Sequence, residues 1–199
     1  MSRQSWKAEV FDRLYAACDD PWNFETSPYE QAKYADTLQQ LDDRHFECVL
    51  ECGCSIGVLS RLLAPRCDRL LGLDAAAAAI GQAEARCAGL DHVAFRRAML
   101  PQDWAINWPA GTFDLIVMSE LLYFLCPDDI AALAHRCVEG APETCMILLV
   151  NWTGPTDTPT TGDEAAVLFR DAAVGFTPDA PLHRPSYRLD RLHRAPASR

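Results

Sequence analysis

Hydrophobic positions along this chain of 199 residues follow two rhythms. Unbroken runs such as Leu70-Leu71-Gly72-Leu73 and Leu115-Ile116-Val117-Met118 are short and apolar throughout, and they read as strands buried on both faces. Between such runs, apolar residues recur at helical spacing. Val10, Phe11, Leu14 and Tyr15 do so within 6–17, and Ile130, Leu133, Ala134 and Cys137 do so after the helix-starting Pro127-Asp128-Asp129. Strands alternating with helices predict an α/β, Rossmann-like architecture, a mainly parallel sheet with helices on both faces. The strands fall at 48–51, 70–74, 93–95, 111–118, 144–150 and 175–176, with 187–192 alternating as an edge strand, which makes a seven-stranded sheet. Further helices are predicted at 28–41, capped by Ser27 ahead of Pro28 and Glu30, at 58–64, at 75–88, alanine-rich and closed by Gly89, and at 165–173.

The first strand carries the most informative chemistry. It runs into Glu51-Cys52-Gly53-Cys54-Ser55-Ile56-Gly57 and then a helix, so a small-residue loop joins a buried strand to free helical amides. Gly53 and Gly57 let the backbone turn tightly and approach a ligand. The Gly-x-Gly-x-x-Gly spacing of a pyrophosphate site is absent. A carboxylate at the mouth of the loop repels pyrophosphate and suits a ligand that carries an ammonium beside a sulfonium. Glu51 therefore points to S-adenosylmethionine rather than NAD. A second acid, Asp74, ends the next strand some twenty residues on, where a carboxylate accepts hydrogen bonds from both ribose hydroxyls.

Composition narrows the partners. With 49% hydrophobic residues the chain supports one substantial core, preceded by a helical lid segment at 1–41, with 42–199 as the cofactor-binding domain. A formal net charge of −10, with no dense Lys/Arg run, argues against nucleic acid and for a small-molecule acceptor. Nine cysteines without paired spacing fit a reducing compartment, and Cys52 with Cys54 lacks the second ligand pair of a metal site. No membrane-spanning run is present, so the expected location is cytoplasmic.

Two sets of residues carry a family resemblance. The first is the loop itself, a hydrophobic strand followed by Glu51-x-Gly53-x-Ser55-x-Gly57, which resembles the first motif of class I S-adenosylmethionine-dependent methyltransferases, with Ser55 where the middle glycine stands. The second is Asp20-Pro21-Trp22-x-Phe24-x-Thr26-Ser27-x-Tyr29-Glu30 ahead of it, which is similar to the nodulation protein S family. The resemblance covers nearly the whole chain. It implies the class I methyltransferase fold, S-adenosylmethionine as donor with S-adenosylhomocysteine as product, and N-methylation of an amino sugar of a chitooligosaccharide. Oligomeric state is not implied.

On that reading the donor is held by Glu51, Gly53, Cys54, Gly57, Asp74 and Ala75. Tyr29 and Lys33, one helical turn apart, either meet its methionine end or staple the lid to the sheet. Relatives commonly place an Asp after the third strand for the adenine amino group. Met99 stands there, so Met99 and Leu100 are expected to pack on the ring, with Asp103 the lesser alternative. Ser119, expected among the donor-binding residues, Glu120 and Tyr123 follow the fourth strand, where the sheet's ligand crevice lies. Glu120 is the expected base and Tyr123 its orienting partner, the alternative being that Glu120 caps the next turn. Asn151, Trp152 and Asp157, in the long polar segment after the fifth strand, are expected to contact the acceptor, with the indole stacking on a sugar ring or else anchoring the loop. His183, Arg184 and His193 read as surface residues, and the tail 195–199 as frayed. A hydroxyl or carboxylate acceptor, a non-catalytic cofactor-binding module and a dehydrogenase are the competing functions.

Overall fold

The structure, a computed structural model, describes residues 4–104, 112–139 and 141–194. Gly111, at the head of the predicted fourth strand, and the tail 195–199 lie outside the described residues. By packing, the chain forms two compact units, one holding Lys7–Met99 and the other Met1–Trp6 with Leu100–Arg199.

In the unit Lys7–Met99, helices α1 (Ala8–Ala17) and α2 (Pro28–Gln39) precede strand β1 (Val49–Cys52), helix α3 (Val58–Leu63), strand β2 (Leu70–Asp74), helix α4 (Ala77–Arg86) and strand β3 (Val93–Arg97). β2 pairs in parallel with β1 on one side, Val49 opposite Leu70, and with β3 on the other, Leu70 opposite Val93. β1 is buried at every position, Glu51 included. The alanines of α4 do more than favour a helix: Ala79 and Ala83 are fully buried, and a Cβ at Gly57 would stand 2.9 Å from Ala83 Cα. With φ at +77°, Gly57 also meets a backbone demand at the start of α3. Ser27 caps α2 through the Glu30 amide, with Pro28 in the first turn, as predicted.

In the other unit, strand β4 (Leu115–Ser119) pairs in parallel with β5 (Met146–Trp152), and helices α5 (Pro127–Val138) and α6 (Gly162–Ala172) follow β4 and β5 in turn. The chain finishes with β6 (Phe176–Pro178), β7 (Leu182–His183) and β8 (Tyr187–Arg194). Eight strands thus occur among the described residues, one more than predicted; the addition is the two-residue β7. α5 buries the face formed by Ile130, Leu133, Ala134 and Cys137, the face read from the sequence.

β8 departs from its prediction as an edge strand. It pairs antiparallel with β5 on one side and with β6 and β7 on the other. The polar positions that suggested an edge neutralise each other. The Arg188 guanidinium grips Asp190 through Nε at 2.8 Å and Nη2 at 2.7 Å and reaches Asp163 at 2.7 Å. Arg170 adds a bond to Asp190 at 3.2 Å, so a fully buried carboxylate has paired partners. α6 also begins three residues before its prediction, because Thr161 and Glu164 form a reciprocal capping box.

Among the described residues no helix is long and apolar enough to cross a membrane. None of the nine cysteines forms a disulfide.

Two glycines separate steric need from helix propensity. A Cβ at Gly162 would come within 1.9 Å of the Trp152 carbonyl oxygen, whereas one at Gly81 in α4 would meet nothing within 4 Å. Gly162→Ala is expected to cost about 2–4 kcal/mol in urea unfolding. Gly81→Ala should gain roughly 0.5–1 kcal/mol in the same measurement.

Candidate functional site

The loop after β1 folds back on β2. The amides of Gly53 and Cys54 both donate to the Leu73 carbonyl, at 2.8 and 2.9 Å, and Gly53 takes φ at +79° to do so. Ser55 comes next but one at φ +49°, a left-handed conformation that serine rarely adopts, and its amide donates to Asp74 Oδ2 at 2.9 Å. The Ala76 amide donates to Asp74 Oδ1 at 2.9 Å. Each carboxylate oxygen of Asp74 therefore holds an amide, the Ala75 amide also bears on the group, and lone-pair capacity remains for a further donor. Burial pushes Asp74 above the usual carboxylate range against the pull of those amides.

Glu51 is placed differently from the open loop mouth expected of it. It is enclosed at 2% exposure, and the Ser60 hydroxyl of α3 donates to its Oε2 at 2.5 Å. Desolvation pushes its carboxyl up to about 8, Ser60 opposing and Asp74 adding to the rise. Burial likewise raises the thiols of Cys52 and Cys54, which makes them inert lining. Among the described residues no group of three His, Cys, Asp or Glu side chains is placed to hold a metal ion.

The N-terminal segment of this unit is built onto the same loop. Tyr15 shares a hydrogen bond of 2.5 Å with Ser55 Oγ. Phe11, Trp22 and Phe24 pack with Tyr15 against Ile56, Val58, Ala76 and Ala79. Asp20 caps the turn at Phe24 and Glu25, and Arg86 joins the Ile56 carbonyl to the Glu25 carboxylate. Arg97, opposite Asp74 in register, bonds Ala75 O at 2.8 Å and Asp12 at 3.0 Å instead. Tyr29 and Lys33 do share a face of α2. There the buried Lys33 ammonium meets Glu30 at 2.8 Å and lies 5.1 Å from the Tyr29 ring centroid. Met99 is half-buried and ends this unit; Leu100 is buried, and Asp103 is exposed.

In the unit that carries β4, Ser119 closes the strand opposite Val150, and Glu120 turns the chain at φ +57°. A left-handed glutamate is strained, and such strain gathers at working sites. Its amide donates to Val150 O at 2.8 Å. Its Oε2 accepts from the Tyr123 hydroxyl at 2.5 Å and from the Trp152 amide at 3.2 Å. Glu120 thus reaches across to β5 and to Tyr123 in the turn at Leu122–Phe124. Thr160, from the segment after β5, bonds the carbonyls of Tyr123 and Leu125.

Of the predicted acceptor contacts, Asn151 is fully buried, and neither its carboxamide oxygen nor its nitrogen has a hydrogen-bond partner among the described residues. Trp152 is half-buried, with Gly154 set so close that a Cβ there would overlap the indole ring, and that part of the ring is closed to a sugar. Asp157 is exposed. The sequence pattern places Tyr15 on a helix face and assigns no site role to Tyr15, Ser60 or Thr160. A tyrosine at helical spacing signals burial, but not which hydroxyl it meets.

The fold is that of the class I methyltransferases. The N-methyltransferase NodS from Bradyrhizobium japonicum WM9, solved in complex with S-adenosyl-l-homocysteine, matches with a TM-score of 0.79 at 22% identity, covering 94% of this chain and 97% of that one. The model of the family described as Nodulation protein S (NodS) matches residues 7–139, and the chain belongs to that family. Nodulation protein S of Bradyrhizobium diazoefficiens is 34% identical over 110 residues, 55% of this chain and 51% of that protein. Its counterpart in Sinorhizobium fredii is 32% identical over 118 residues, 59% of this chain and 52% of that protein. These matches span about half the length of the curated relatives.

The buried Glu51 generates a pH dependence with a defined sign. Its folded-state value of about 8 lies above the ordinary 4.5, so the unfolded chain ionises first as pH rises and stability falls between those values. Glu51→Gln should flatten the decline in unfolding free energy from pH 5 to pH 8 by up to about 1.4 kcal/mol per pH unit. Asp74 has the same sign and remains, so some slope persists. Parallel slopes in the two proteins would show that Glu51 is already ionised in the fold.

Proposed function

We propose that this chain is an S-adenosylmethionine-dependent methyltransferase that N-methylates a small acceptor, an amine on a sugar. The observation that carries the reading is the loop between β1 and α3 with Asp74 beside it. Gly53 and Ser55 in left-handed conformations bring backbone to the end of β1, and Asp74 retains acceptor capacity, as a ribose diol requires. Those residues fit the donor. Gly53, Cys54, Gly57 and Ala75 would line it with backbone, Asp74 would accept from its ribose, Glu51 would ionise to face its positive end, and Met99 would offer apolar surface to adenine. When bound, S-adenosylmethionine supplies a methyl group already activated on a sulfonium.

The protein's part is then alignment and one proton. An amine attacks only as its neutral form, while in water it is an ammonium. Glu120 attracts that ammonium and receives its proton at the carboxylate, and the Tyr123 hydroxyl, 2.5 Å from Oε2, fixes the carboxylate's orientation. The Trp152 amide on the same oxygen holds it from the neighbouring strand. Asn151 presents a carboxamide able to donate and accept, which suits hydroxyls flanking a sugar amine. The sugar-amine assignment draws on the family: the Bradyrhizobium japonicum relative is an N-methyltransferase. The buried thiols favour a reducing compartment, and we place the reaction in the cytoplasm.

The test is a mass-spectrometric transfer assay that offers S-adenosylmethionine with deacetylated chitooligosaccharides and matched N-acetylated controls. A single added methyl on free amines alone is the expected result. Methylation of the acetylated controls would move the chemistry to oxygen. In the same assay Glu120→Gln should lower kcat by about 10²–10⁴-fold, with S-adenosylhomocysteine affinity kept. Unchanged turnover would remove Glu120 from proton transfer, whereas S-adenosylhomocysteine binding without transfer to any acceptor by the wild type would favour a module that only binds the donor.

A further inference from the structure

The pair Tyr15 and Ser55 has a proton to give. Two hydroxyls carry two protons, and their mutual bond of 2.5 Å uses one. Among the described residues neither oxygen has another hydrogen-bond partner, so one O–H remains uncommitted. Either hydroxyl can donate in that bond; with the enclosed phenol directed to Ser55 Oγ, the serine hydroxyl is the remaining donor. Accessibility agrees: Tyr15 is 4% exposed and packed among Ile56, Ala76 and Ala79, whereas Ser55 is half-buried. Burial and the nearby charge of Asp74 push the phenol upward, so Tyr15 keeps its proton over the working range.

Position gives that donor a use. Ser55 stands in a left-handed turn that glycine adopts without strain, so the side chain is retained there against a backbone preference. Its own amide holds Asp74 Oδ2 at 2.9 Å, which sets the hydroxyl and the carboxylate in one array at the end of β2. A vicinal diol both donates and accepts. A carboxylate alone satisfies its O–H groups and leaves its oxygen lone pairs without a donor.

We propose that the Ser55 hydroxyl, oriented by Tyr15, recognises the ribose of the methyl donor by donating to one of its hydroxyl oxygens while Asp74 accepts from the diol. The assignment rests on the S-adenosylmethionine reading above. Ser55 is the recognition group and Tyr15 its positioning residue. The pair also gives the site a reason to select an intact ribose, since a deoxy sugar would leave the serine donor unmatched.

Isothermal titration with S-adenosylhomocysteine and with its 2′-deoxy and 3′-deoxy forms tests this without any acceptor. Ser55→Ala and Ser55→Gly should each weaken S-adenosylhomocysteine by about 3–10-fold, and Tyr15→Phe by roughly 2–5-fold, since the serine then donates without guidance. For the deoxy form that lacks the bonded oxygen, wild type should already be weaker, and the three substitutions should cost nothing further. Glycine fits the turn, so Ser55→Gly carries the test even where alanine disturbs the fold. Wild-type affinity in Ser55→Gly, or the same fold-loss with all three ligands, overturns the assignment and leaves the hydroxyl pair as packing. Absence of S-adenosylhomocysteine binding by the wild type overturns the donor reading itself, and this one with it.

Discussion

The carboxylate of Asp74 holds together the part of the chain on which everything else in its unit depends. It ends β2, and by taking the amides of Ser55 and Ala76 on separate oxygens it ties the loop after β1 to the chain entering α4. Without such an acceptor a left-handed serine would have little reason to persist, because its conformation is unfavourable and its amide would lack a partner. The anion is itself supported by backbone rather than by a cation, which leaves its charge uncompensated for a ligand. That is the arrangement expected of a carboxylate that must bind neutral hydroxyls: an arginine partner would occupy the same lone pairs. Arg97 stands opposite it in register yet is drawn off to Asp12 and the Ala75 carbonyl.

Close approach comes with that tie. The loop after β1 settles near α4 because Gly57 and Ala83 present no bulk to each other, and the aromatic residues of the N-terminal segment then cover the loop from their own side. The composition of α4 is thus better explained by contact distance than by helix propensity alone. A helix of leucines would serve propensity equally and would hold the loop away. Glu51 lies beneath the same loop. Its enclosure raises the cost of its charge, so a ligand bringing a positive group would be met by a carboxyl that ionises as it binds.

Much of this was legible in the sequence. The buried strands, the two acids at their ends, the face of α5 and the capped start of α2 each obey a local rule of spacing or capping, and local rules survive folding. The features that escaped were pairwise and non-local. Arg188 and Asp190 alternate as solvent-facing charges do, and nothing in their spacing says that they neutralise one another and admit partners on both sides of β8. Tyr15 and Ser55 lie 40 positions apart, and their hydroxyl bond is set by how α1 packs. Glu51 showed its charge in the sequence but not its depth. The early start of α6 is a different case, since Thr161-Gly162-Asp163-Glu164 spells a capping box and was readable.

Of the four non-glycine residues with positive φ among the described residues, Ser55 and Glu120 each come after a parallel strand, and each is held by more than one bond. Ser55 is held by Asp74 through its amide and by Tyr15 through its hydroxyl; Glu120 is held by Val150 through its amide and by Tyr123 and the Trp152 amide through its carboxylate. Strain of about 1–3 kcal/mol per residue is tolerated only where such redundancy fixes it. The same redundancy fixes the direction of the side chain. On the proposed role of Glu120 this matters chemically, because a carboxylate that is to receive a proton gains from having one oxygen anchored and its plane set before the acceptor arrives. Asn151 sits in the same unit under the opposite condition, buried with a carboxamide that has no partner among the described residues, at a cost of about 1–3 kcal/mol. Strain that is braced and polarity that is left unpaired are different departures from a stability optimum, and both are the departures expected where binding, rather than folding, sets the requirement.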